Sequence, residues 1–230
     1  MLRKIKQKIY NPTCLSCGSY FVLEHLFCVN CFKHKIQPRI DQTLLCENSI
    51  EKSTDCFHLI DWIPDESDLL SEMVYRFKSD KCYFAWSFYA QLATSVLKNN
   101  IRINDIDYII TVPGSKKKSI HSQVFAHFVH QEINKPVLNL LKKIKIAAEH
   151  TEQKSLNRRD RQNTQFQISE QITYNLTDLN LETKHVLVVD DIRTTGSSFR
   201  QVVDALGPVK KATLLTLFHR KTKTQSPLVS

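Results

Sequence analysis

The stretch Val186-Leu187-Val188-Val189-Asp190-Asp191-Ile192-Arg193-Thr194-Thr195-Gly196-Ser197-Ser198-Phe199 decides the fold. Four consecutive apolar residues, three of them β-branched, predict a strand buried on both faces. Two adjacent carboxylates end it, a hydroxyl-rich loop with one glycine follows, and a helix is predicted over Ser197–Leu206. In that order, the loop's backbone N–H groups and the helix N-terminus make a pocket of partial positive charge suited to a phosphate monoester. Thr194, Thr195, Ser197 and Ser198 each offer a further hydroxyl, and Gly196 lets the backbone come close. Asp190 and Asp191 sit at the carboxyl end of the strand, where α/β proteins bind ligands, placed for vicinal sugar hydroxyls or a hydrated Mg²⁺. A plain capped helix needs one hydroxyl rather than four. The dinucleotide pattern Gly-x-Gly-x-x-Gly is absent.

Outward from this segment, strands and helices alternate. Tyr108-Ile-Ile-Thr-Val-Pro-Gly reads as a short buried strand ending in a turn, and Ala212–Phe218 as a closing strand. Helical spacing joins Leu69, Leu70, Met73, Val74 and Phe77 behind a cap at Ser67, then recurs over Tyr83–Leu97 and in Val124, Phe125, Phe128, Val129 and Ile133. Val137–Leu141 is a further strand candidate, Asp61–Asp68 a linker, and Ala147–Gln167 a polar, basic loop, or a loop with a helix. Such alternation predicts an α/β fold with a mainly parallel sheet covered on both faces. After the first sheet strand, Gly114, Ser115 and Lys116–Lys118 form a second candidate phosphate site, with N–H groups and ammonium groups to offset a pyrophosphate. A solvated lysine turn is the plainer alternative. Only four glycines occur in 230 residues, and three of them, Gly18, Gly114 and Gly196, fall at candidate sites.

Seven cysteines in a chain with no export signal point to metal rather than disulfides. Met1–Lys8 is basic with no apolar run after it, so a cytoplasmic protein is expected, and no stretch approaches the length of a membrane span. Cys14-x-x-Cys17 and Cys28-x-x-Cys31, ten residues apart, supply the four thiolates of a closed, structural Zn²⁺ site, with Gly18 as the turn residue. Cys46 and Cys56 are either buried thiols or a degenerate second site with His34 or His58. Cys82 belongs to a helix core. Residues 1–60 are expected as a zinc-ribbon module and 61–230 as the larger domain. The net charge of +9 and calculated pI near 9.2 favour polyanionic ligands.

Asp190-Asp191 with Thr194-Thr195-Gly196 resembles the phosphoribosyl pyrophosphate signature of type I phosphoribosyltransferases. The resemblance implies that fold, with the acid pair on the ribose hydroxyls, Thr194–Ser198 on the 5′-phosphate, and Gly114–Lys116 as the pyrophosphate loop. Hypoxanthine-type members carry an aspartate where this chain has Thr194, which argues against that reaction. With a zinc module in front, the whole chain is similar to the ComF family of competence proteins (its ComFC branch, related to GntX-type proteins). Phe77-Lys78, Pro113, Gln123 and Gln153-x-x-Leu156 followed by Arg158, Arg159, Arg161, Asn163 and Phe166 carry that similarity. The family's Pro-Leu-His and Arg-Gly-Phe-Asn-Gln are reduced here to Pro113-Gly-Ser and Ser119-Ile-His-Ser-Gln123. The resemblance implies phosphoribosyl pyrophosphate and Mg²⁺ as ligands, a role in DNA uptake and natural transformation, and a place beside the uptake helicase. Two classes compete: a glycosyltransferase moving phosphoribose to an unidentified acceptor, and a non-catalytic ligand sensor or single-stranded-DNA-binding module. In the first, the basic segment Lys142–Arg161, with Arg158, Arg159 and Arg161, is a loop closing over the ligand; in the second it tracks a DNA backbone. A solvated loop is its bland alternative.

Overall fold

The computed structural model describes residues 13–20, 22, 25–44, 49–51, 54–64, 68–78, 83–114, 120–145, 164–169 and 178–221. Strands β1 (Ser49–Glu51), β2 (Thr54–Trp62), β3 (Tyr108–Thr111), β4 (Val137–Leu138), β7 (His185–Arg193) and β8 (Lys211–Arg220) form one sheet in the order β1-β2-β8-β7-β3-β4. Five of its strands run parallel, and β1 adds an antiparallel edge. The fold is α/β, as the alternating pattern predicts.

Helices α2 (Asp68–Phe77), α3 (Tyr83–Asn100) and α4 (His121–Ile133) cover one face, and α5 (Ser197–Leu206) covers the other. Period-two alternation divides the strand residues between two cores. Leu187 and Val189 of β7, Leu215 and Leu217 of β8 and Ile109 of β3 face α3 and α4. Val186, Val188, Leu214 and Ile110 face Phe199, Val202 and Leu206 of α5. Fully burying each such side chain contributes roughly 1.5–3 kcal/mol before conformational entropy is set against it. That two-sided burial is why β7 is an unbroken apolar run rather than an alternating one.

Cys28 opens a helical turn, Val29–Cys31, that continues through a wider π-helical stretch, Phe32–Ile36, into α1 (Gln37–Leu44). Pro38 accounts for the widening, since it has no N–H to give the His34 carbonyl and its ring crowds that carbonyl. The N-terminal segment is fused to the sheet rather than tethered to it. Leu26, Phe27, Ile36 and Ile40 lie in the same buried cluster as Leu59, Leu70 and Tyr89. The Tyr89 hydroxyl donates to the His25 carbonyl over 2.9 Å.

Three elements differ from the sequence reading. The linker predicted over Asp61–Asp68 begins inside a strand: β2 runs through Trp62, across the predicted boundary at residue 60, and pairs with β8 along its length. The strand predicted over Val137–Leu141 is two strands in two sheets. β4 ends at Leu138, Thr111 Oγ1 donates to the Asn139 side chain over 2.8 Å, and Leu141 starts β5 (Leu141–Lys145). Its antiparallel partner, β6 (Thr164–Ile168), falls within the predicted basic loop. Gln165 and Gln167 face outward and Phe166 inward, an alternation too short to register as a strand pattern. Ser67, Cys46 and Cys82 lie outside the described residues.

Candidate functional site

The sheet has a topological switch point. β3 leads to its neighbour β4 on one side, and β7 leads to β8 on the other, so the crevice opens between the carboxyl ends of β3 and β7. Both candidate phosphate segments begin there, Val112-Pro113-Gly114 after β3 and Thr194–Ser198 after β7. Of the first, Gly114 is half-buried, while Ser115 and Lys116–Lys118 lie outside the described residues. Ser122, on α4, fixes the end of β3 by donating to the Val112 carbonyl over 2.5 Å.

At the end of β7 the side chains of Asp190 and Asp191 are half-buried rather than sealed in the core. The Asp191 N–H donates to Asp190 Oδ1 over 2.9 Å, and the Ile192 N–H to Asp191 Oδ1 over 3.0 Å. Burial of the Asp190 carboxyl, with the Asp191 charge beside it, pushes its pKa well above the usual carboxylate range. The Asp191 N–H and Lys143 of β5 oppose that shift. Asp190 therefore tends to hold a proton, which a bound cation would displace.

Gly196 is the N-cap of α5 in the left-handed region, at φ +74, where any other residue would be strained. A Cβ there would meet open space, so the constraint is conformational rather than steric. No side chain caps the helix, and the Ser197 N–H has only a 3.4 Å contact to Thr195 Oγ1. Thr194, Thr195 and Ser197 are exposed and Ser198 half-exposed. The first-turn N–H groups therefore take no cap from the side chain at the N-cap position and lie beside four hydroxyls, an arrangement that accepts an anion. Arg200 folds back on the loop, its Nη2 donating to the Thr195 carbonyl over 3.3 Å.

Cys14, Cys17, Cys28 and Cys31 converge, with all four sulfurs within 4.8 Å of one another. Cys17 Sγ and Cys28 Sγ are 3.7 Å apart, against about 3.8 Å between sulfurs in tetrahedral zinc with Zn–S near 2.3 Å. Backbone shapes each pair. Gly18, at φ +72, closes the first turn with its N–H on the Cys14 carbonyl, and the Ser16 N–H points at Cys14 Sγ over 3.4 Å. The second pair sits on the first helical turn, where the Cys31 N–H caps onto Cys28 Sγ. Burial resists ionisation of Cys14, but the Cys28, Cys17 and Ser16 N–H groups outweigh it and bring the thiol to about 7. Cys31 goes the other way. The Ser16 hydroxyl favours its thiolate, yet burial and the three neighbouring sulfurs prevail and push it up to about 12. Four thiolates so close ionise together only around a cation, and a closed four-sulfur set fits structural Zn²⁺.

Arg158, Arg159, Arg161, Gln153 and Asn163 lie outside the described residues. Lys143, also in the predicted closing segment, stands over the Phe166 ring at 5.6 Å. Cys56 is buried in the sheet core and is no part of a metal cluster among the described residues.

Sequence reasoning missed a third group at this end of the sheet. Asp61 Oδ1 accepts from His58 Nε2 over 2.9 Å and from His219 Nδ1 over 3.0 Å, while Lys221 Nζ holds Asp61 Oδ2 at 2.6 Å. Arg193 Nη2 approaches His219 Nε2 at 3.3 Å. Burial opposes the Asp61 charge, but these three donors hold its carboxyl well below the usual range, and burial lowers His58. The partners come from strands far apart in sequence, so no spacing motif announces them.

No protein-family model matches this chain, and no curated protein matches it either. Its class rests on fold and site: an α/β protein with a parallel sheet, an acid pair and an uncapped helix N-terminus at the switch point, and a four-cysteine cluster. None of its described helices is long and apolar enough to cross a membrane.

Proposed function

We propose that this chain is a phosphoribosyltransferase-like protein of the ComF family that binds phosphoribosyl pyrophosphate with Mg²⁺ and acts in DNA uptake. One observation carries the reading: Asp190 and Asp191 share the switch-point crevice with the left-handed Gly196 and the uncapped start of α5. The acid pair holds the ribose hydroxyls and the hydrated metal. The N–H groups and hydroxyls of Thr194–Ser198 hold the 5′-phosphate, and the segment after Gly114 takes the pyrophosphate. Transfer through an oxocarbenium-like state needs departure of diphosphate more than a strong base, so the absence of an acid at Thr194 is no obstacle. The four-cysteine module is structural in this scheme.

The test is binding and turnover together. Phosphoribosyl pyrophosphate with Mg²⁺ is titrated into the zinc-loaded protein, and diphosphate release is assayed with candidate amine and base acceptors. Binding that disappears in Asp190→Asn/Asp191→Asn supports the site, and release lost in the same variant supports an enzyme. Failure of the intact protein to bind the ligand, with salt-sensitive binding of single-stranded DNA instead, replaces the reading with a DNA-binding module.

A further inference from the structure

Arg193, His219 and Asp61 stand in one row across three neighbouring parallel strands, Arg193 in register with His219 and His219 with Asp61. The row is bonded end to end, with His58 and Lys221 completing the shell of the carboxylate. Two imidazoles and a carboxylate with ligand atoms within 4.8 Å of one another have the spacing of a divalent-metal site. Their surroundings oppose one. The Arg193 N–H needs a lone pair on His219 Nε2, which puts the ring proton on Nδ1, the atom a metal would have to take. An ammonium and a guanidinium in direct contact with the ligand set would also repel a dication.

The same surroundings favour an anion. Apart from its imidazoles the cluster holds one carboxylate against two cations, and that carboxylate is already engaged by Lys221, His58 and His219. Arg193 is in salt-bridge contact with no carboxylate among the described residues; burial disfavours its charge, and only the more distant Cys56 and Asp61 offset that. Its Nε and Nη1 are shut off from solvent and hydrogen-bond to nothing, and Thr216 Oγ1 and His58 Nδ1 nearby are likewise unsatisfied. Thr216 is in register with both His58 and Asp190, so it stands between His58 and the acid pair across the sheet. Unpaired donors on a shielded guanidinium are costly to keep, and a planar oxyanion satisfies two of them in parallel. Asp61 and Lys221 keep 23% and 27% of their side chains exposed, so the cluster opens toward the strand ends.

We propose that Arg193, flanked by His219, Thr216 and Lys221, binds an oxyanion, the carboxylate or phosphate of a small ligand, at the carboxyl ends of β7, β8 and β2. Resting on the phosphoribosyl-transfer reading, this oxyanion belongs to the acceptor, which makes the second substrate an acidic molecule rather than a neutral base.

Calorimetric titrations with malonate and with inorganic phosphate, at low ionic strength, test the site without any turnover. Arg193→Met should weaken the anion that binds there at least about ten- to a hundredfold, the loss of one charge-assisted hydrogen bond or more. The loop variant Thr195→Val/Ser197→Ala should leave it unchanged. Malonate binding that depends on Arg193 assigns a carboxylate ligand, and Arg193-dependent phosphate binding without malonate assigns a phosphate. Arg193→Lys, which keeps charge but loses the planar fork, should fall between the two and serves if the Met variant does not fold. The site is refuted if neither anion binds the intact protein, if malonate binding survives in Arg193→Met, or if phosphate binding survives Arg193→Met made on top of Thr195→Val/Ser197→Ala. Loss of phosphoribosyl pyrophosphate binding alone would sink the transfer reading and leave this result standing.

Discussion

Replacing Asp61 by Asn tests the electrostatics of the sheet end most directly. The carboxylate takes Lys221 at 2.6 Å and two imidazoles at 2.9 and 3.0 Å. Asn keeps one acceptor oxygen but turns an amide toward the Lys221 ammonium, so one charged contact is lost and two are reduced to neutral ones. A charge-assisted hydrogen bond contributes about 1.5–3 kcal/mol. Screening through the 23% of the side chain left exposed brings the total nearer an intermediate case, between the ~1 kcal/mol of surface pairs and the ~3–5 kcal/mol of a broken buried one. The expected loss is therefore about 3 kcal/mol, read from urea unfolding at pH 7, or roughly 6–12 °C in Tm for a chain of this size. The sign with pH follows from the depressed carboxyl. Asp61 is ionised when folded at pH values where the unfolded residue, near pKa 3.9, is already taking up protons. Its contribution is fully present above about pH 4 to 5 and is lost only on further acidification. The difference between the two proteins should thus persist at pH 6 and begin to narrow only below about pH 4. A difference under about 0.5 kcal/mol at pH 7, or one already closed by pH 5, would refute the reasoning.

Cys17→Ser should abolish tight zinc binding, measured by metal analysis after dialysis, and cost at least about 3 kcal/mol because Leu26, Phe27, Ile36 and Ile40 lose their anchor. Stoichiometric zinc retained by the variant would exclude the four-sulfur site. Phe27→Ala should cost about 3–5 kcal/mol as a large-to-small change at a fully buried position. Because Phe27 shares a cluster with Leu70 and Tyr89, helix and sheet signals should shift together in one transition. Two separate transitions, only one of them moved, would show an autonomous module.

The parallel sheet was legible because β7 opens on a β-branched apolar run and β8 on a leucine-rich one, both of which must be buried on both faces, and the helices because Leu70, Met73, Val74 and Phe77 repeat at helical spacing. The four cysteines were legible for the same reason: metal knuckles are local, and their spacing is in the chain. Strand β6 was not, since three alternating residues around Phe166 carry almost no periodic signal. The His58–Asp61–His219–Arg193 cluster was least visible. Asp61 read as the start of a polar linker, and only the parallel pairing of β2 with β8 and of β8 with β7 sets the four side chains together.

The pairing of β2 with β8 also constrains how the chain can be made. Asp55 meets Thr213 and Trp62 meets Arg220, so β2 finds its sheet partner 158 residues further along the chain. Until then β2, Cys56 included, offers an apolar edge with no neighbour on that side, the kind of surface that invites misassociation during translation. Local closure of the cysteine cluster around zinc would give the nascent cysteine segment a folded anchor, while this sheet pairing must wait until β8 has been made.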